Sequence, residues 1–292
     1  MQDFTDKLAV ITGGASGVGR SLALALAEAS ARVLVVDVDE AGLVEVENQL
    51  TASGATVYTQ VCDVTDQSSL DALAAYAFDE LGGAHLIFAN AGIAAGEAGP
   101  MWGYADADWK WCFDVNFWGV VQTINAFMPR LVAQNEEAHF VITGSGNGAF
   151  IVYPDQPVYS ATKAAVQAVT EALYQQVALA ELPIKIHALF PGPHIVDTGI
   201  FDSDRVRPAR FIKAEDAPDS GIHSADDMRK MMEEFGMELI TTHPDEVAAT
   251  ALEGVREDKF WILPLNPNSE KRIKIRMDSI VNRTNPPIAS LG

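Results

Sequence analysis

The sequence predicts a doubly wound α/β fold, one parallel sheet covered by helices on both faces, and three observations carry that expectation. Short apolar runs alternate with stretches of helical periodicity along most of the chain. The runs are rich in Val, Ile, Leu and Phe, as strands buried on both faces must be. Polar and glycine-rich stretches fall at the C-terminal ends of the runs, where ligands bind in such folds.

Lys7 to Thr12 (KLAVIT) reads as the first strand and runs into glycines. Ser21 to Ala29 has helical character, and Arg32 to Asp37 (RVLVVD) is apolar again. A helix near 41–53, a strand at Thr56 to Val61, a helix near 68–81 and a strand at His85 to Ala89 follow. Then come a longer helix around Trp109 to Val132, a strand at His139 to Thr143, a helix at Tyr159 to Ala180 and a strand at Lys185 to Phe190. Helices of this length between strands imply parallel pairing with right-handed crossovers.

The 292 residues, 48% of them hydrophobic, are ample for a core, and no linker, repeat or low-complexity tract divides them into more than one domain. A net charge of −20 disfavours nucleic acid and anionic membranes as partners. The N-terminus lacks a basic region followed by an apolar stretch, and no run of eighteen apolar residues occurs, so neither secretion nor membrane spanning is expected. Cys62 and Cys112 have no CxxC spacing and fit a reducing cytoplasm, as buried small apolar residues. The six histidines show no metal-ligand spacing, and no metal site is indicated.

TGGASGVG, Thr12 to Gly19, lies between the first strand and the first helix. Glycine lets backbone approach a phosphate closely, and a helix N-terminus offers free N–H groups and the positive end of its dipole. The second strand ends in Asp37, where a carboxylate meets an adenosine ribose. Together these point to a dinucleotide site. A carboxylate accepts from both ribose hydroxyls but repels a 2′-phosphate, and Val38 brings no compensating charge, so NAD is favoured over NADP. Asp63, after the third strand, is read either as the acceptor of the adenine amino group or as the cap of the next helix. In VYSATKAAV, Tyr159 and Lys163 stand one helical turn apart and so on one face.

With TGGASGVG, Asp63, Asn90-Ala91-Gly92, Asn116, Ser145 and Tyr159-x-x-x-Lys163 in this order, residues 7–264 resemble the short-chain dehydrogenase/reductase family. The resemblance implies a single-domain Rossmann-type oxidoreductase moving hydride between a nicotinamide and an alcohol or carbonyl carbon. A free phenol titrates near 10, and a neighbouring cation favours its phenolate while the oxidised nicotinamide ring adds positive charge, so Tyr159 becomes the general acid/base. Lys163 would also bind the nicotinamide ribose, and Ser145 would hydrogen-bond the substrate oxygen where charge develops. Asn116 would hold a helix distortion and a proton-relaying water. The implied cofactor contacts are Gly13, Ser16, Gly17, Val18, Gly19, Asp37, Asp63, Val64, Asn90, Gly92, Pro191, Gly192, Val196 and Thr198, with Tyr159 and Lys163. The family further implies a homodimer or homotetramer using the helices that hold Tyr159 and Asn116.

Two features depart from the family pattern. Ser145 stands one residue farther from Tyr159 than usual, which leaves Thr143 as a fallback hydroxyl, and PGPHIVDT is two residues longer than the usual loop. An insertion at 197–242 holds Met228, Met231 and Met232 at helical spacing, either as a lid or as ordinary packing on the sheet rim. Pro100, Met101, Trp102 and Tyr104 add aromatic surface opposite, so an apolar pocket for a hydrophobic, aromatic alcohol or ketone is expected. Asp204 to Phe211 (DRVRPARF) resembles a segment of family members that oxidise the benzylic alcohol of aryl ethers, although Arg205 and Arg207 also have Asp202 and Asp204 at hand. KRIKIR, in the tail at 266–292, is read as a solvated helix or an intersubunit ion-pair face. The competing readings are a catalytically silent nicotinamide-binding regulator, and relatives acting on steroid or aliphatic alcohols.

Overall fold

Seven strands form one all-parallel sheet, whose spatial order is 57–61, 32–37, 8–12, 86–89, 138–143, 184–189 and 261–262. This is a computed structural model, and it describes residues 1–96, 98–212, 220–286 and 288. Part of the 197–242 insertion, residues 213–219, and the tail residues 287 and 289–292 lie outside the described residues.

In chain order the elements are β1 (Leu8–Thr12), α1 (Gly17–Glu28), β2 (Arg32–Asp37), α2 (Glu40–Ala52), β3 (Val57–Val61), α3 (Gln67–Ala75), β4 (Leu86–Ala89), α4 (Asp106–Phe113), α5 (Gly119–Gln134) and β5 (Ala138–Thr143). There follow a distorted single turn α6 (Gly146–Ala149), α7 (Pro157–Leu179), β6 (Ile184–Leu189), β7 (Ile195–Val196), α8 (Ala225–Glu234), β8 (Thr241–Thr242), α9 (Pro244–Arg256), β9 (Trp261–Ile262) and α10 (Pro267–Asn282). The two-residue strands β7 and β8 pair with each other in a separate parallel ribbon. The expected Rossmann-type, doubly wound single domain is what the chain forms.

The alternation of β1 divides the core. Leu8 and Val10 point into the layer of α3, α5 and α7, whereas Ala9 and Ile11 point into the layer of α1, α2 and α9. Strand order reverses between β1 and β4, which opens the crevice where such folds place their ligands.

Three boundaries differ from the sequence expectation. α1 begins at Gly17 rather than Ser21, because Gly17 and Gly19, which read as loop residues, occupy its first turn. The long helix expected over 109–132 is α4, a π turn at Asp114–Trp118 and α5. Asp63 does not cap α3; that cap is Asp66, which accepts from the Ser68 amide, while Asp63 accepts from the amide and hydroxyl of Thr65.

Candidate active site

At the end of β1 the backbone passes through Gly13 (φ +66°) and Gly17 (φ +52°) into α1. A Cβ on Gly13 would lie 2.7 Å from the Ala91 Cα, and one on Gly19 would lie 2.1 Å from the Gly13 carbonyl oxygen. Only glycine permits this approach. Ser16 occupies the N-cap position of α1, yet its side chain makes no capping bond. The leading N–H groups of α1, at Gly17 and the half-buried Val18, therefore have no side-chain acceptor among the described residues, the condition under which a helix end takes an anion. Thr198 packs on this turn, its Cβ 3.0 Å from where a Cβ of residue 17 would stand.

Asp37 is fixed at the neighbouring strand end. Its Oδ2 accepts from the Ala15 amide (3.1 Å) and its Oδ1 from the amides of Val38 (2.8 Å) and Asp39 (3.1 Å). Val64 is buried beneath Gly119, which ties the end of β3 to α5. Thr12, to which no motif assigned a role, joins β1 to β4. Its hydroxyl donates to the Phe88 carbonyl and accepts from the amides of Asn90 and Ala91.

Asn90 connects the phosphate end to the polar centre. Its Nδ2 donates to the carbonyls of Thr12 and Gly13, and its Oδ1 accepts from the Thr143 hydroxyl at 3.1 Å. Thr143 is thus committed to Asn90, and its carbonyl accepts from Lys163 Nζ at 2.9 Å. It is Ser145 whose hydroxyl bonds the Tyr159 phenol, while its Oγ also accepts from the Asn147 amide. The extra residue in the spacing is taken up by α6, where Asn147 and Gly148 leave helical geometry. Gly148 (φ +95°) packs on α7, since a Cβ there would stand 2.3 Å from the Ser160 carbonyl oxygen.

Tyr159 and Lys163 share one face of α7, with the ammonium 5.8 Å from the phenol ring centroid. Burial pushes the Tyr159 phenol up to about 12, and the Ser145 hydrogen bond only partly offsets it. Burial also lowers the Lys163 ammonium to about 8. The resting site accordingly keeps Tyr159 as a protonated acid at neutral pH.

Asn116 is fully buried in the π turn. Its Oδ1 accepts from the Ile93 amide (2.8 Å), and its Nδ2 donates to the Ile93 carbonyl (2.9 Å) and Thr162 Oγ1 (3.1 Å). A Cβ on Gly92 would fall 3.4 Å from Asn116 Oδ1 and 3.6 Å from Lys163 Nζ, so Gly92 keeps this corner open. The helix distortion implied for Asn116 is present.

On the substrate side, Trp102 is 88% exposed and so does not wall a pocket. Tyr104 and Trp109 instead pack on Ala95, Cys112 and Val158, next to Tyr159. Trp111, Ile93 and Phe211 form a second apolar cluster. Residues 199–211 run across the strand ends as a strap held by Arg207, which bonds Asp108 (2.9 Å), Asp204 (2.8 Å) and the carbonyls of Ala95 and Phe211, and lies 4.1 Å over the Trp111 ring. Arg205, by contrast, bonds the Asp202 carbonyl and not its carboxylate. Val196 lies in β7, opposite Thr242, and Pro191 and Gly192 are half-buried beyond β6. In the tail, Arg272 donates to the Tyr153 hydroxyl and Arg276 to the Ala149 carbonyl, so KRIKIR braces the loop after Ser145.

A family model described as short chain dehydrogenase matches residues 7–207. A short-chain dehydrogenase/reductase from Burkholderia phymatum, solved in complex with NAD, is 33% identical, covers 99% of each chain and superposes with a TM-score of 0.88. LigO from Sphingobium sp. strain SYK-6, in its apo form, is 27% identical over 97% of this chain and 90% of its own, with a TM-score of 0.75. The 1-deoxy-11-beta-hydroxypentalenate dehydrogenase of Streptomyces avermitilis is 36% identical over 184 residues, 63% of this chain and 67% of that protein. The matched region contains the strands from β1 to β6 and all four side chains that meet at the polar centre, and the chain belongs to the short-chain dehydrogenase/reductase family.

Proposed function

We propose that this oxidoreductase uses NAD to interconvert a hydrophobic secondary alcohol and its ketone, with Tyr159 as general acid/base. The observation that carries the reading is the convergence of Ser145 on the Tyr159 phenol with Lys163 held beneath it. The phosphate end fits a dinucleotide, since an uncapped helix end, a glycine turn packed to backbone contact and an anchored Asp37 stand side by side. Gly13, Ser16 to Gly19 and Thr198 would hold the pyrophosphate, Asp37 the adenosine ribose, Asp63 and Val64 the adenine, and Asn90, Gly92, Tyr159 and Lys163 the nicotinamide side. Pro191, Gly192 and Val196 would border the carboxamide. The NAD-bound relative supports this assignment.

NAD supplies the hydride acceptor, and its oxidised ring brings positive charge to the site. That charge adds to Lys163 and favours the phenolate, so Tyr159 takes the alcohol proton in oxidation and returns it in reduction. Ser145 donates to the substrate oxygen as negative charge develops on it. Asn116 holds the Ile93 backbone and the π turn in place beside Lys163. An aromatic, benzylic alcohol is the narrower reading. Tyr104, Trp109 and the cluster of Trp111 and Phe211 support the apolar class as a whole. The exposed Trp118 and Val132, beside and on α5, and Tyr174 and Leu179 on α7 support a homo-oligomer joined through these helices.

The test is purified protein with NAD+ or NADP+ and aryl-glycerol ethers, 1-arylethanols, steroids, polyols and aliphatic secondary alcohols, followed by cofactor absorbance. NAD+ preferred by at least about tenfold, with turnover of an apolar secondary alcohol, is the expected result. Equal kcat/KM for the two cofactors would remove Asp37 from the ribose, and best turnover of polyols would remove the apolar pocket. Binding of NAD+ with no turnover across the panel would favour a silent binding protein.

A further inference from the structure

The strap crosses from the glycine-rich turn to the far side of the crevice, and one of its cations ends at the uncapped helix. Arg205 donates through Nη1 to the carbonyls of Gly199 (3.3 Å) and Asp202 (3.0 Å), which orient its guanidinium from behind. Its Nη2 reaches the Ser16 hydroxyl at 3.5 Å, a long bond to the one side chain at the N-cap of α1. Gly199 follows Thr198, which itself packs against Gly17, so Thr198 and Arg205 approach the same turn from the same side. Arg20, the basic residue within α1, is turned away, with its head group on Gln49 and Glu45.

A guanidinium fixed by two carbonyls keeps free N–H groups in a planar fork, the arrangement that suits a phosphate. Ser16 is a weak neutral acceptor at a long distance, whereas a pyrophosphate at the end of α1 would present an anion. In a chain of net charge −20, a cation held there also offsets the repulsion an incoming anion meets.

We infer that Arg205 is a cofactor-binding residue, which leaves Ser16 and contacts the pyrophosphate when the dinucleotide enters, so that the strap grips the cofactor. The inference rests on the dinucleotide reading above. It makes DRVRPARF a segment with two tasks: Arg207 anchors the strap to α4, and Arg205 carries it to the cofactor.

The experiment measures Kd by calorimetry for NAD+ and ADP-ribose, and by ligand-observed NMR for adenosine, with the full-length wild type, Arg205→Ala and Arg205→Lys. Arg205→Ala should weaken NAD+ and ADP-ribose by about tenfold and leave adenosine unchanged, with Arg205→Lys between the two. The salt dependence of NAD+ binding should also flatten in Arg205→Ala. Unchanged Kd for NAD+ and ADP-ribose, or equal weakening of all three ligands, would overturn the inference. A wild type that binds no NAD+ would overturn the dinucleotide reading and this inference with it, whereas a wild type that binds while Arg205→Ala binds equally well would overturn the inference alone.

Discussion

The two ends of the sheet both bury polar groups, and they treat them in opposite ways. At the N-terminal end, His187 Nδ1 bonds the Lys259 carbonyl (2.7 Å), His187 Nε2 meets His139 Nδ1 (2.8 Å), and His139 Nε2 meets the Met1 amine (3.0 Å). The neutral tautomers that satisfy this row have each imidazole donating through Nδ1 and accepting through Nε2. The row is closed, with every ring nitrogen paired inside the protein. At the C-terminal end, Lys163 is also buried, but Tyr159 beside it is only half-buried and the helix end nearby is left uncapped. Buried polarity that is fully paired gives architecture, and buried polarity with capacity left over gives a site.

The largest effect that would break this comparison lies in Tyr159→Phe, which should keep the fold and NAD+ affinity yet lower kcat by roughly a thousandfold, the scale of lost acid/base catalysis. Steady-state kinetics with a separate NAD+ titration reads both quantities. Next comes Arg207→Met, which leaves Asp108 half-buried without its cation and uncovers Trp111; Arg207 is only 5% exposed and Asp108 15%. A loss of about 3 kcal/mol in urea unfolding is expected, with a higher substrate KM as the strap loosens.

The histidine row sharpens the comparison through pH. Burial lowers His139 to about 4, and it lowers His187 and His85 as well. Each folded value lies below the unfolded one near 6.5, so the unfolded chain binds more protons as pH falls. Stability contributed by the neutral rings is therefore present above about 6.5 and lost as pH falls from there toward 4. Urea midpoints should already decline between roughly pH 6.5 and 5.5, before most carboxylates titrate, and constant midpoints in that window would refute the closed row. The smallest effect is expected for Asp106→Asn, which removes an exposed pair with Lys110 and should change stability by less than about 0.5 kcal/mol.

Sequence periodicity locates β1 to β6, most of whose runs are apolar on both faces, and the candidate site is legible because its chemistry demands fixed residue types at strand ends. It missed β7 and β8, two residues each, since a pair of residues has no period. The glycines of α1 hid the start of that helix, because their reason for being there is close approach rather than helix propensity. Composition alone counts Trp102 toward the apolar pocket, whereas burial depends on which way the 3-10 turn at Met101–Gly103 faces. Thr12, Arg205 and the inward-facing Arg272 and Arg276 act through contacts between segments distant in the chain, and no local pattern encodes those.

Tyr159 is proposed to be an acid at rest and a base only when cofactor charge is added. The direct measurement is the pH dependence of kcat/KM for alcohol oxidation with NAD+, in the wild type and in Tyr159→Phe. The wild-type rate should rise with pH along a single ionisation whose apparent pKa lies well below the resting value of about 12, and the residual Tyr159→Phe rate should lack that rise. A wild-type profile flat across the alkaline range, or the same rise retained in Tyr159→Phe, would show that another group moves the proton.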